Sequence, residues 1–162
     1  YHPISSDIPL MPKFGMRMRI PADFKQIKWY GRGPWENYPD RKLSAKVGWY
    51  ELPIEEFQTD YARPQDNGNR CDVRWLTLSS GRHALKVEGS QPLCVRAWDY
   101  GEEDLEQVKH HYELPHGQFV NLNLDLNIHG VGGIDTWGAR TMDKYTLDGN
   151  RPYSYSFVLT YE

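Results

Sequence analysis

The sequence predicts an all-β fold, an antiparallel β-sandwich with one short helix. Three observations carry that expectation. Val120, Leu122, Leu124, Leu126 and Ile128 alternate with Asn121, Asn123, Asp125 and Asn127, which is the two-residue period of a half-buried strand. Tyr153, Tyr155, Phe157, Leu159 and Tyr161 show the same period over residues 153–161. Between them, clusters of Gly, Pro, Asn and Ser cut the chain into roughly nine or ten strand-like segments and a single helical one.

The segments follow in order. Residues 1–12 hold three prolines and read as an extended lead-in. Phe14, Met16, Met18 and Ile20 alternate with Gly15, Arg17 and Arg19, a strand with one wet face that Pro21 ends. A short strand over Ile27 to Tyr30 leads into a long loop, Gly31 to Arg41. That loop is dense in Gly, Pro, charge and aromatics. Within it, Arg32, Glu36, Asp40 and Arg41 read as a polar network that satisfies the loop's own backbone. Ala45 to Tyr50 alternates as a third strand, and Pro53 to Gln58 is short and ambiguous. Asp66-Asn67-Gly68-Asn69 signals a turn. Val73 to Thr77 and Leu85 to Val87 form a hairpin about Ser79-Ser80-Gly81, and Leu93 to Trp98 is a further strand. Asp104 to Tyr112 is the one helical stretch, with Leu105, Val108 and Tyr112 at helical spacing, acids first and Lys109, His110 and His111 last. Adjacent histidines do not share a helix face, so they are not a metal pair. Lys144 to Leu147 reads as a short strand before the turn at Gly149-Asn150-Arg151-Pro152.

A chain of 162 residues fits one domain and can bury about 68–70% of its unfolded surface. A formal charge of −3 gives no basic footprint for nucleic acid. No apolar run approaches the roughly 20 residues of a membrane span, and no signal peptide is visible. Two cysteines, Cys71 and Cys94, leave the redox compartment open.

The strand at 120–128 ends in His129-Gly130-Val131-Gly132-Gly133-Ile134-Asp135-Thr136-Trp137-Gly138. Such a glycine-rich loop turns sharply, and a tryptophan at its rim offers a flat face and an indole N–H to a sugar. Residue type alone favours the opposite, a buried core aromatic. His129 is the one histidine nominated beside the loop, with loop bracing as its default role. The familiar metal, phosphate and nucleophile signatures are missing, and acidic residues are too numerous for sequence to pick out a catalytic pair.

Three stretches carry a resemblance. Gly31-Arg32-Gly33-Pro34-Trp35-Glu36-Asn37-Tyr38-Pro39-Asp40-Arg41 resembles the GxGPxENYPDR stretch in the C-terminal domain of large bacterial β-galactosidases, glycoside hydrolase family 2. Asp66-Asn67-Gly68-Asn69-Arg70-Cys71 is similar to that family's ENGxRC turn, and Gly132 to Trp137 to its GGDDSW. Together they cover about residues 9–161 in the family's order. The resemblance implies a large antiparallel supersandwich, galactose-mutarotase-like. It implies that residues 1–162 are a single domain, a C-terminal fragment of a longer multidomain chain. The expected function is hydrolysis of terminal β-galactosides with retention, Trp137 forming part of the active-site wall. Trp137, Asp135 and His129 are the substrate-binding candidates. Ile134 departs from the family's first aspartate. The catalytic glutamates are implied in an upstream TIM barrel, so the fragment alone is expected to be inactive. No cofactor is expected in it, with Mg2+ and Na+ in the intact enzyme. Expected partners are a galactoside, the TIM barrel and further copies in a homo-oligomer, in a bacterial cytoplasm or periplasm. A non-catalytic carbohydrate-binding module and a mutarotase-like epimerase remain alternatives.

Overall fold

The computed structural model describes residues 1–135 and 137–162. Its fold is all-β: one open antiparallel sheet of the β-sandwich kind. The strands are β1 (Lys13–Pro21), β2 (Gln26–Gly33), β3 (Lys46–Pro53), β4 (Arg70–Ser79), β5 (Ala84–Trp98), β6 (Phe119–Ile128) and β7 (Phe157–Tyr161). Their order is β1-β6-β5-β4-β2-β3, and β7 pairs with β5. The long β5 serves two neighbours on one side. Leu85 to Gly89 pairs with β7, and Cys94 to Trp98 pairs with β6. The two short strands expected over 85–87 and 93–98 are therefore one strand.

One face of the sheet buries Ile27 and Trp29 of β2, Leu76 and Leu78 of β4, Val95 and Ala97 of β5, and Leu122 and Leu124 of β6. These pack with Phe24, Ile54 and Phe57 in a single cluster. Ile54 and Phe57 come from α1 (Ile54–Phe57), one turn of helix in the stretch that sequence leaves ambiguous. Pro53 precedes it, where proline is tolerated because its missing N–H costs no intrahelical bond.

Four further expectations need correction. The helix over Asp104–Tyr112 is two 3₁₀ turns, Glu102–Glu106 and His111–Glu113. Here tertiary ion pairs outweigh helical spacing. Glu102 is claimed by Lys13 and Arg96, and Glu103 by Arg17 and Arg19. The strand over 144–147 is a 3₁₀ turn, Asp143–Tyr145, followed by one bridge in which Met11 N–H donates to the Leu147 carbonyl at 2.9 Å. The strand over 153–161 begins only at Phe157. Tyr153 instead stacks against Phe14, with ring centroids 5.4 Å apart, and the Tyr155 hydroxyl donates to the Leu124 carbonyl at 3.1 Å.

The last correction concerns β6, which is buried on both faces. Asn121, Asn123 and Asp125 are as deeply buried as Val120, Leu122 and Leu124. The Glu102 turn covers the polar face: the Asn123 side-chain amide donates to Glu102 at 2.9 Å, and Arg96 donates to Glu102 at 2.6 Å.

Candidate functional site

Three loops meet where β2 ends, β4 begins and β6 ends: residues 34–45, 58–69 and 129–146. Asparagines lace the first two together. Asn37 N–H donates to the Asn69 carbonyl, and the Asn69 side-chain amide donates to the Asn37 carbonyl, both at 2.7 Å. Asn37 Oδ1 accepts from Cys71 N–H at 2.9 Å. Beneath them Tyr38, Cys71, Cys94 and Ile128 form a small buried cluster. The two thiols lie 3.8 Å apart. That pairing and burial push the Cys94 thiol well above its ordinary range.

Arg32, near the end of β2 rather than in the loop expected over 31–41, and Glu36, Asp40 and Arg41 of the loop that follows spend their charges internally. Arg32 donates to Asp72 at 2.5 Å and to the Ala45 carbonyl at 2.8 Å. The Glu36 side chain is only 9% exposed. It accepts from Arg41 at 2.6 Å, from Gly68 N–H at 2.8 Å and from the Tyr61 hydroxyl. Burial pushes its pKa up, but those donors outweigh burial and hold it below the usual range. Arg70 lies buried against Phe57, donates to the Pro34 and Gly68 carbonyls, and is brought down to about 10 by burial. These groups brace the loops.

Asp40 reaches further, across to the glycine loop. Its carboxylate accepts from Val131 N–H at 3.1 Å, Gly132 N–H at 2.8 Å and the Thr141 hydroxyl at 2.7 Å. Burial opposes ionisation, but the three donors hold the carboxyl below its ordinary pKa. A Cβ at Gly130 would sit 2.6 Å from Asp40 Cγ and from Thr141 Oγ1, so the staple closes only over a glycine.

Beyond the staple, Asp135 Oδ1 accepts from Trp137 N–H at 2.8 Å and from Ala139 N–H at 3.2 Å. A short polar side chain that caps its own following backbone fixes a tight turn. Trp137 stands out from that turn at 92% exposure, so the core reading suggested by residue type does not apply to it. Asp135 and Trp137 thus share one turn. His129 sits apart at the loop's base, half-buried, its ring Nδ1 2.6 Å from the Gly130 carbonyl and its backbone N–H on the Pro12 carbonyl at 2.8 Å. Thr141 is the residue that sequence reasoning passes over: a lone threonine 101 positions from its partner carries no signal. Among the described residues, no three His, Cys, Asp or Glu side chains are grouped to hold a metal ion.

Residues 2–159 match the family model described as the β-galactosidase small chain. Among curated proteins the chain is 40% identical over 157 residues to a β-galactosidase of Priestia megaterium, covering 96% of this chain and 15% of that protein. It is 38% identical over 157 residues to a β-galactosidase of Vibrio cholerae, covering 97% and 14%. The chain thus spans about one seventh of the length of these relatives.

Proposed function

Because the chain belongs to the β-galactosidase small-chain family, we propose that it is the C-terminal domain of a retaining β-galactosidase and lends Trp137 to the wall of that enzyme's sugar site. In such an enzyme one glutamate attacks the anomeric carbon and a second protonates the leaving oxygen, the two carboxyls about 5–5.5 Å apart. Both belong to an upstream TIM barrel, along with the Mg2+ and Na+ that support them. The Glu36, Asp40 and Asp135 carboxylates of this chain's loops are occupied by internal donors and do not serve as that pair. The intact enzyme is a homo-oligomer acting on terminal β-galactosides.

The observation that carries this reading is the placement of Trp137: fully outside the sheet's core, on a turn fixed by Asp135 and stapled by Asp40. An indole held there presents its apolar face to the apolar face of a galactose ring, a positioning role. Asp135 serves by shaping the turn, and His129 by bracing its base.

Trp137→Ala in the full-length enzyme tests it. An exposed side chain costs stability within about 0.5 kcal/mol when truncated, so the melting temperature stays put. KM for a chromogenic β-galactoside rises, and kcat falls as well if the indole grips the transition state more tightly than the ground state. A lowered melting temperature with unchanged KM would overturn the assignment. The isolated 162-residue chain is expected to release no product from the same substrate, and turnover above a buffer blank would place the catalytic carboxylates here instead.

A further inference from the structure

The outer face of β2, β3 and β4, opposite the apolar core, carries two ordered rows. Tyr30 of β2 lies directly between Trp49 of β3 and Trp75 of β4 in the sheet register. Trp49 packs against both of the other rings: its centroid is 5.3 Å from that of Tyr30, and it meets Trp75 edge-on at 4.9 Å. Trp49 is nevertheless 67% exposed. Two residues along the strands, about 6.6–6.8 Å away, runs a polar row. In it Lys28 lies opposite Glu51 on one side and Thr77 on the other, and Thr77 lies opposite Lys86. An open groove of about 520 Å³ runs from Trp49 and Trp75 across the polar row to Gln26 and Ser79.

The core does not require this aromatic row. Trp29, Leu76 and Leu78 on the opposite face already fill it, and a cluster of exposed aromatics on a sheet face marks a binding surface. Charge narrows the occupant. Lys86 pairs with Glu88 at 3.0 Å, and Lys28 approaches Glu51 at 3.9 Å, so the row carries both signs and little net field. It offers alternate donors and acceptors beside a flat apolar wall. A polyanion finds no counter-charge there. A sugar, with hydroxyls that donate and accept and with one apolar ring face, matches both rows. Four strands abreast span about 14 Å, room for a short oligosaccharide. We propose that this face is a second carbohydrate-binding surface, separate from Trp137, that takes neutral oligosaccharide chains, with Trp49 and Trp75 as its anchors.

The test uses the full-length protein in native gels containing one of two neutral polysaccharides, a soluble β-1,4-galactan or a mixed-linkage β-glucan, with polygalacturonate as the anionic control. The β-glucan has no galactoside to offer the catalytic site, so its retardation reports this face alone. Expected are retardation by the neutral polysaccharides, none by polygalacturonate, and affinity weakened about tenfold in Trp49→Ala and in Trp75→Ala, as for truncating an anchor. Trp137→Ala leaves the β-glucan retardation intact, which keeps this surface distinguishable from the proposed sugar wall. Trp49 is exposed, so its variant is expected to melt with the wild type, and Trp49→Tyr to retain part of the affinity. No retardation by either neutral polysaccharide overturns the proposal. So does retardation that Trp49→Ala leaves unchanged. A sedimentation coefficient that drops in Trp49→Ala also overturns it, since the face would then be covered by a second copy.

Discussion

Asp40→Asn is the sharpest probe of how the glycine loop is held. The carboxylate has three donors at 3.1, 2.8 and 2.7 Å. An asparagine keeps one oxygen. Turned toward Gly132 and Thr141, it preserves the two shorter bonds and points its amide nitrogen at Val131 N–H, donor against donor. The loss is thus one bond to a charged acceptor, and the two that remain lose their charge assistance. A hydrogen bond to a charged group contributes about 1.5–3 kcal/mol. Asp40 is only half-buried, so about 1–2 kcal/mol is expected, borne by local opening of the loop. That corresponds to roughly a 5–30-fold loss of protection. Hydrogen exchange at the Val131 and Gly132 amides should accelerate by that factor, while the β6 amides exchange as in the wild type. In the full-length enzyme KM should rise in step, because Trp137 rides on the loosened segment. Equal protection at Val131 and Gly132 in both proteins would show that the loop does not depend on the staple. Faster exchange throughout β6 would show that Asp40 supports the sheet instead.

Burial raises the Asp125 carboxyl to about 6, against the pull of Arg96 and Lys13, and among the described residues its Oδ2 has no hydrogen-bond partner. The folded state therefore binds this proton more tightly than the unfolded chain, whose aspartates titrate near about 3.9. Its contribution is full below pH about 4 and is lost as pH rises through about 6. Asp125→Asn should remove that decline and gain on the order of 1–3 kcal/mol at pH 7; calorimetric melting across pH 4–7 reads it, and an unchanged slope counts against it. Cys71 and Cys94 are both buried, and the Cys94 thiol is held protonated, so neither should react with a thiol-specific alkylating reagent at pH 8 until denaturant unfolds the chain. Modification at the rate of a free cysteine in the native protein would contradict that burial.

What the sequence disclosed follows from the range of each interaction. The alternation of β6 was legible because strand period is a local property, and Val120, Leu122 and Leu124 do face the core. That its polar face is also buried was not, because the covering groups, Lys13, Arg96 and Glu102, come from three separate places. The 3₁₀ turns at 102–113 fail as a helix for the same reason: their acids answer to arginines of β1 and β5. Trp137 and Asp135 were singled out through a motif, and the structure shows Asp135 accepting from the Trp137 and Ala139 N–H groups. The bracing roles of Arg32, Glu36 and Arg41 follow from a long loop's need for internal partners. Thr141 had no such local logic. The aromatic row at Tyr30, Trp49 and Trp75 was equally hidden, since only the register of three strands sets the rings side by side.

The position of β1 beside β6 has a consequence for how the chain is made. Lys13 pairs with Ile128 and Pro21 with Phe119, so the first strand's partner follows roughly 100 residues later. At ribosomal rates of about 5–20 residues per second, β1 waits about 5–20 s for it. Through that interval Phe14, Met16, Met18 and Ile20 form an unpaired apolar stripe, the kind of segment that pairs with the wrong neighbour. Arg17 and Arg19, set between them, place positive charge on the waiting strand and discourage such pairing. Once β6 arrives, both arginines meet Glu103. The charges that guard the nascent strand thus become those that fasten it.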